Sequence, residues 1–318
     1  IAVNFIDQNK SNPFFYVISY PDPHGPNNVR ATYNAMFTSN NFEIPTTFRT
    51  GTIPNENTGS FEKANWTINS GRNKRSEAQI KEILPQYFGM VKCIDDNIKK
   101  LLDKLSDEGI LDNTIIVFTS DHGDLMGEHG RENKGNPYEA SVLIPFLIRY
   151  PAIINPNTVI NTAFNNADLM DTLIHIAGIT NFDETTTTGK SFKNVFTGED
   201  FNVTENGISL NGITFSNLNN WLASFSDRFK LVLEKPTNGR KKIPWLIDLQ
   251  EDPSETTNFI DFSSGKAKTG YKAIAKTLAE KLKEYYTQYL NTNRIVLEQL
   301  DNLINDDINS ETSVLFFK

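Results

Sequence analysis

From residue 77 to 106, Ile80, Leu84, Tyr87, Val91, Ile94, Ile98, Leu101 and Leu105 recur every three or four positions, and the run "TIIVF" follows at 114–118. Such a stripe is the buried face of a long amphipathic helix. The β-branched and aromatic run reads as a strand buried within a sheet. A helix feeding a strand, with a second strand-like run "PFLIRY" at 145–150, predicts an α/β fold with a mixed or parallel sheet flanked by helices. The run "FFYVISY" at 14–20 is expected to be another strand of that sheet.

The remaining segments extend this plan. Residues 27–75 are rich in Asn, Thr, Gly and Pro with little periodicity, which predicts a long surface excursion with some short helix. "NNADLMDTLIHIAGI" reads as a further helix that Gly178 stops. After Thr180 the texture changes: "WLASFSDRFKLVLE" reads as a hairpin and "IPWLIDLQEDPSE" as a strand ending in a proline turn. "YKAIAKTLAEKLKEYYTQYL" is helical by propensity. The expected division is an α/β part at 1–190, a small C-terminal antiparallel sheet at 191–266 and a helical tail at 267–318.

Composition closes off several function classes. The formal charge is −8, from 31 basic and 39 acidic residues, which argues against a nucleic-acid binder. The single cysteine, Cys93, excludes an internal disulfide and any Cys-rich metal site, and its place in the helical stripe reads as packing. No apolar run is long enough for a membrane span, and residues 1–20 lack the pattern of a signal peptide. The chain opens on "IAVNFIDQNK" without Met, so a piece of a longer protein is expected. Residues 24–81 hold seven basic and four acidic side chains, a balance of +3 in an acidic chain. "GRNKRS", with Arg72, Lys74 and Arg75, reads either as a landing site for a polyanion or as a solvated helix start.

Polar residues crowd where strands end, which is where open α/β sheets bind ligands. Of four histidines, His24, His122 and His129 fall in loops after strand-like runs, and His175 sits in an apolar helix as a core or boundary residue. Asp121 and His122, adjacent in "TSDHGD", can reach one cation or simply cap a solvated turn. Gly123 fits the first reading, since it lets backbone approach a bound ion. Lys134, in "ENKGNPYE", offers an ammonium suited to a tetrahedral oxyanion, or merely solvates a surface.

Five segments now stand in order: "PFFYVISYPDPHGPN", "TIIVFTSDHGDLMGEHG", "NKGNPYEASVLIPFLIRYP", "DLMDTLIHIAGI" and "PWLIDLQEDPSETTNF". Together they resemble the type I, formylglycine-dependent sulfatases of the alkaline-phosphatase-like superfamily, over roughly residues 12–260. The resemblance implies a sulfuric ester hydrolase, periplasmic or secreted, and the basic balance of residues 24–81 next to His24 makes a sulfated carbohydrate the expected substrate. The resemblance makes Asp121 and His122 ligands of a divalent cation, usually calcium; the softer imidazole donor leaves manganese or zinc open. It places His24 near the leaving oxygen and Lys134 on a sulfate oxygen, and it makes Asp124, Glu128 and His129 supporting residues of the loop.

One part of the family pattern is missing. No C/S-x-P-x-R segment, the source of the formylglycine nucleophile, occurs in these residues, and neither do the family's other metal aspartates. The resemblance therefore implies a C-terminal portion holding half of the site, with the N-terminal part of the same protein as its partner. Two other readings stay open: a phosphodiesterase or phosphonate monoester hydrolase of the same superfamily, and a non-catalytic truncation that binds anionic glycan.

Overall fold

The computed structural model describes residues 1–50, 75–135, 137–183, 187, 189–199, 204–205, 208–209, 213–216, 221–234, 243–289 and 294–306. Helix α1 (Ala2–Asn9) precedes the long α2 (Glu77–Asp107). Strand β1 (Ile116–Thr119), a short α3 (Glu139–Val142), β2 (Phe146–Arg149), α4 (Asn166–Ile176) and α5 (Lys193–Thr197) follow. A two-residue ladder, β3 (Thr204–Glu205) and β4 (Ile208–Ser209), leads to β5 (Ile213–Ser216), β6 (Trp221–Phe225), β7 (Phe229–Glu234) and β8 (Trp245–Asp248). Helices α6 (Lys272–Tyr289) and α7 (Arg294–Ile304) complete the order.

Helix α2 starts where its chemistry dictates. Ser76 Oγ accepts from Gln79 N at 3.4 Å while Gln79 Oε1 accepts from Ser76 N at 2.8 Å, a reciprocal capping box. Its buried face follows the expected stripe at Ile80, Leu84 and Leu105 and takes in Met90 and Cys93 as well, while Val91 is exposed. Gly89 allows close packing beside them: an added Cβ would lie 2.8 Å from the Tyr33 carbonyl oxygen. The helix thus packs against the 27–50 excursion, which carries two short 3-10 turns, Ser39–Asn41 and Thr46–Thr50.

Strands β1 and β2 pair antiparallel, with Ile116 opposite Arg149 and Thr119 opposite Phe146. Phe146 and Ile148 pack with Ile176, Phe192 and Phe196 in one aromatic-rich core. The expected strand at 14–20 is a correction: the segment has no ladder partner among the described residues, and Phe15 and Val17 are exposed. A strand is defined by pairing, which this segment lacks here; instead Phe14 and Tyr16 pack on Phe5 of α1, the Tyr16 ring stacked at 4.0 Å.

The C-terminal sheet is an antiparallel meander in the order β5-β6-β7-β8. Its strands are apolar at successive positions because both faces are covered. Leu222, Leu231, Leu233 and Leu246 meet Leu278 and Leu282 of α6 and Val296, Leu300 and Leu303 of α7. Trp221, Ala223, Val232, Trp245 and Ile247 on the opposite face meet Leu125 and Tyr138 from the segment that follows β1. The expected boundary at 266/267 therefore divides the chain but not the packing. Among the described residues no helix is long and apolar enough to cross a membrane.

Candidate active site

His24 sits in a turn in which its own N–H donates to the Pro21 carbonyl at 3.0 Å. Its Nδ1 lies 2.8 Å from the Gly25 carbonyl oxygen, which can only accept, so Nδ1 carries the proton of the neutral ring. The Nε2 lone pair then faces Lys134, whose Nζ is 3.1 Å away. An ammonium donor and an imidazole acceptor thus meet across two loops distant in sequence.

Asp121 and His122 follow β1 after one intervening residue, Ser120. His122 repeats the logic of His24: Nδ1 is 2.8 Å from the Gly123 carbonyl oxygen, which leaves Nε2 as the donor atom, 3.5 Å from Asp121 Oδ2. Asp121 Oδ1 accepts from the His122 N–H at 2.9 Å, and its carboxylate is largely exposed. One carboxylate oxygen and one oriented imidazole nitrogen side by side fit a divalent cation in donor chemistry. They form a partial ligand set, since calcium takes six to eight oxygens; no group of three or more His, Cys, Asp or Glu placed for a metal occurs among the described residues. Gly123 has another reason than ion approach: an added Cβ would stand 2.2 Å from the Ala140 carbonyl oxygen, so the glycine lets the 121–123 turn press on α3.

The loop from 124 to 135 is wound tightly. Asp124 Oδ1 accepts from Met126 N at 3.2 Å and from Asn133 N at 3.0 Å, tying the start of the loop to the residue before Lys134. Met126, His129 and Asn133 hold left-handed φ values of 43°, 51° and 65°. A non-glycine residue bears a cost there, met by the surrounding contacts. Thr47 supplies some of them: its hydroxyl donates to Glu128 and accepts from His129 N at 3.1 Å. The His129 ring is buried and stacks on Tyr138 at 3.6 Å; burial, then the positive charges of Arg131 and Lys230, push its pKa down to about 3. Asp124, Glu128 and His129 thus have structural work in this loop.

A cavity of about 420 Å³ opens between the two loops, lined by His24, Asn27, Arg75, Asp124, Met126 and Asn133 among others. Arg75 pairs with Glu132 on its wall. The structure brings His24 to Lys134 and Asp121 to His122; the cavity lining includes His24 but not Asp121, His122 or Lys134. Arg72 and Lys74 of the expected basic island lie outside the described residues. His175 Nδ1 lies 2.7 Å from the Asp171 carbonyl oxygen within α4. Cys93 is buried against Arg30 Nη1 at 3.4 Å, in keeping with packing.

Sequence reasoning passed over a buried ionic cluster next to this site. Lys230 in β7 is wholly buried, and its Nζ donates to the Pro137 carbonyl at 2.7 Å, to Glu139 Oε1 at 2.8 Å and to Glu255 Oε1. Glu255 Oε2 in turn accepts from Glu139 N at 2.6 Å. Burial works against the Lys230 charge, yet Glu255 and Glu139 outweigh it and raise its pKa. Burial pushes Glu255 up to about 7, with Lys230 opposing; one cation between two carboxylates leaves one carboxylate to take a proton. The available signal was a lone lysine inside the buried run "FKLVL".

Comparison with known proteins agrees with this fold. A structure of a protein in complex with its substrate, D-glucosamine-2-N,6-O-disulfate, superposes with a TM-score of 0.70 at 22% identity, over 91% of this chain and 68% of that one. Phosphonate monoester hydrolase of Agrobacterium radiobacter superposes with a TM-score of 0.69 at 22% identity, over 91% and 59%. The fold is the alkaline-phosphatase-like α/β fold that sulfatases and phosphonate monoester hydrolases share. The sulfatase family model matches residues 2–179, more than half of the chain, and the model for the C-terminal part of N-sulphoglucosamine sulphohydrolase matches residues 127–288. The chain belongs to the sulfatase family. An arylsulfatase of Clostridium perfringens is 28% identical over 300 residues, 93% of this chain, which spans 59% of that relative's length.

Proposed function

We propose that these residues form the sulfate-holding and leaving-group side of a sulfuric ester hydrolase acting on a sulfated carbohydrate. The observation that carries the reading is the 3.1 Å approach of Lys134 Nζ to His24 Nε2. Sulfate ester cleavage builds negative charge on the bridging oxygen, so the reaction needs positive groups on the sulfuryl oxygens and a proton source at the departing alcohol. Lys134 supplies the first. His24 supplies the second as an imidazolium: Nδ1–H stays on the Gly25 carbonyl, Lys134 Nζ turns from Nε2 to a sulfuryl oxygen, and the second ring proton, on Nε2, passes to the departing oxygen and leaves the neutral ring.

Asp121 and His122 are the cation ligands of this reading, with calcium favoured by the family resemblance and manganese or zinc compatible with the imidazole donor. A bound cation would add charge stabilisation at the sulfuryl oxygens. The nucleophile in this reading is a formylglycine, whose C/S-x-P-x-R source segment residues 1–318 do not contain. A periplasmic or secreted location goes with it. The sugar is supported by the sulfated glucosamine bound to the similar structure.

The likeness to a phosphonate monoester hydrolase, nearly equal in TM-score, keeps that activity as the second reading. Turnover by the complete gene product separates them. Sulfate release from a sulfated glucosamine, faster than cleavage of a phosphonate monoester, supports the sulfatase reading; the reverse order overturns it.

A further inference from the structure

Lys134 stands on a loop whose two ends are held by different parts of the chain. On the N-terminal side, Asp124 binds Asn133 N. On the C-terminal side the anchors come from the small antiparallel sheet. Trp221, at the start of β6, donates from Nε1 to the Gly135 carbonyl at 3.2 Å. Lys230, on the same face of the sheet, donates to the Pro137 carbonyl and binds Glu139. Gly135 N donates to Ser141 Oγ at 3.2 Å, which ties the loop to α3. Trp221 and Lys230 are both almost wholly buried, and they lie in the layer that packs Leu125 and Tyr138.

We propose that Trp221 and Lys230 are positioning residues for Lys134, so that the C-terminal sheet sets the reach of the sulfate-binding ammonium. The inference rests on the sulfatase reading for the role of Lys134, and on this geometry alone for the coupling. Gly135 follows Lys134 directly and has a φ of 96°, a conformation few other residues adopt, and its carbonyl has a buried side-chain partner. Trp221 is that partner. Lys230 holds the next described stretch by charge: its ammonium replaces the water that the Pro137 carbonyl and the Glu139 and Glu255 carboxylates would otherwise need. Neither residue is within hydrogen-bond range of His24 among the contacts described, so both act through the Lys134 loop.

The test uses the complete gene product with Trp221→Phe, which keeps an aromatic ring in the core and removes only the donor, and Lys230→Met as a second variant. Two quantities are read at a temperature where each variant is folded: amide hydrogen exchange at 133–135, and the affinity for inorganic sulfate by calorimetry. Loss of one neutral hydrogen bond corresponds to about a fivefold change, so Trp221→Phe is expected to speed exchange at 133–135 and weaken sulfate binding by about that factor. Exchange in α6 should stay unchanged. A lowered melting temperature with exchange at 133–135 and sulfate affinity both unchanged would overturn the proposal and leave a purely structural role. Lys134→Ala separates the two layers: if it leaves sulfate affinity intact, the sulfatase reading of Lys134 fails, while faster exchange at 133–135 in Trp221→Phe would still uphold the coupling.

Discussion

Lys134 places its ammonium 3.1 Å from the Nε2 of His24, a residue 110 positions earlier in the chain. The contact joins the loop that follows the 14–20 segment to the loop that follows β1. With the Gly25 carbonyl holding Nδ1, the His24 ring has one orientation in which to meet Lys134 and one atom left to offer a substrate.

His24→Asn should therefore act by leaving group. If His24 protonates the departing oxygen, its loss costs most where the alcohol is a poor leaving group. For the complete gene product, kcat on a sulfated sugar should fall about 100-fold and kcat on an activated aryl sulfate by much less. Equal losses on both substrates would assign His24 to sulfate binding instead.

Much of the fold was legible in the sequence because its signals are local. The α2 helix follows from its apolar spacing, and the structure adds the cap that Ser76 and Gln79 form at its start. The β6–β7 hairpin and β8 follow from short apolar runs between polar turns. The pairing of the 14–20 segment was not legible, since the same apolar run serves a paired strand or an extended stretch. The Lys230 cluster was hidden for a related reason: its carboxylate partners lie 25 and 91 residues away. The loop residues Asp121, His122 and Lys134 stood out because polar groups gather abruptly after an apolar run that the structure leaves half-buried.

Glu255 gives a pH dependence with a definite sign. Its pKa rises from 4.5 to about 7 on folding, so its contribution to stability is complete below pH 4.5 and is lost as pH climbs through 7. Glu255→Gln removes that titration. The stability of the variant relative to the wild type should increase by a few kcal/mol between pH 4.5 and 8, read by urea denaturation. A difference that does not change with pH would show that Glu255 keeps one protonation state in both folded and unfolded chains.

His129 has the opposite sign. Folding lowers its pKa from 6.5 to about 3, so its contribution is present above pH 6.5 and is lost as pH falls toward 3. His129→Phe preserves a ring against Tyr138 without the titration. The wild type's stability relative to the variant should decline between pH 7 and pH 4; a constant gap would contradict the buried neutral ring.

Lys230→Met should be among the most destabilising single changes in the chain. It leaves Glu139 and Glu255 facing each other without the cation between them. Breaking a buried pair in this way costs about 3–5 kcal/mol, measurable as a lower urea midpoint at pH 8. Because protonation of Glu255 relieves the repulsion, the loss should shrink at pH 5. A loss that grows at pH 5 would refute this charge assignment.

The most direct test of the central claim is the steady-state hydrolysis of a sulfated glucosamine by the complete gene product, wild type against Lys134→Ala. Removing one preorganised charge from the sulfuryl oxygens should lower kcat/KM by about 100-fold or more, with Lys134→Arg between the two. A wild type that releases no sulfate, or a Lys134→Ala variant with unchanged kcat/KM, would contradict the account.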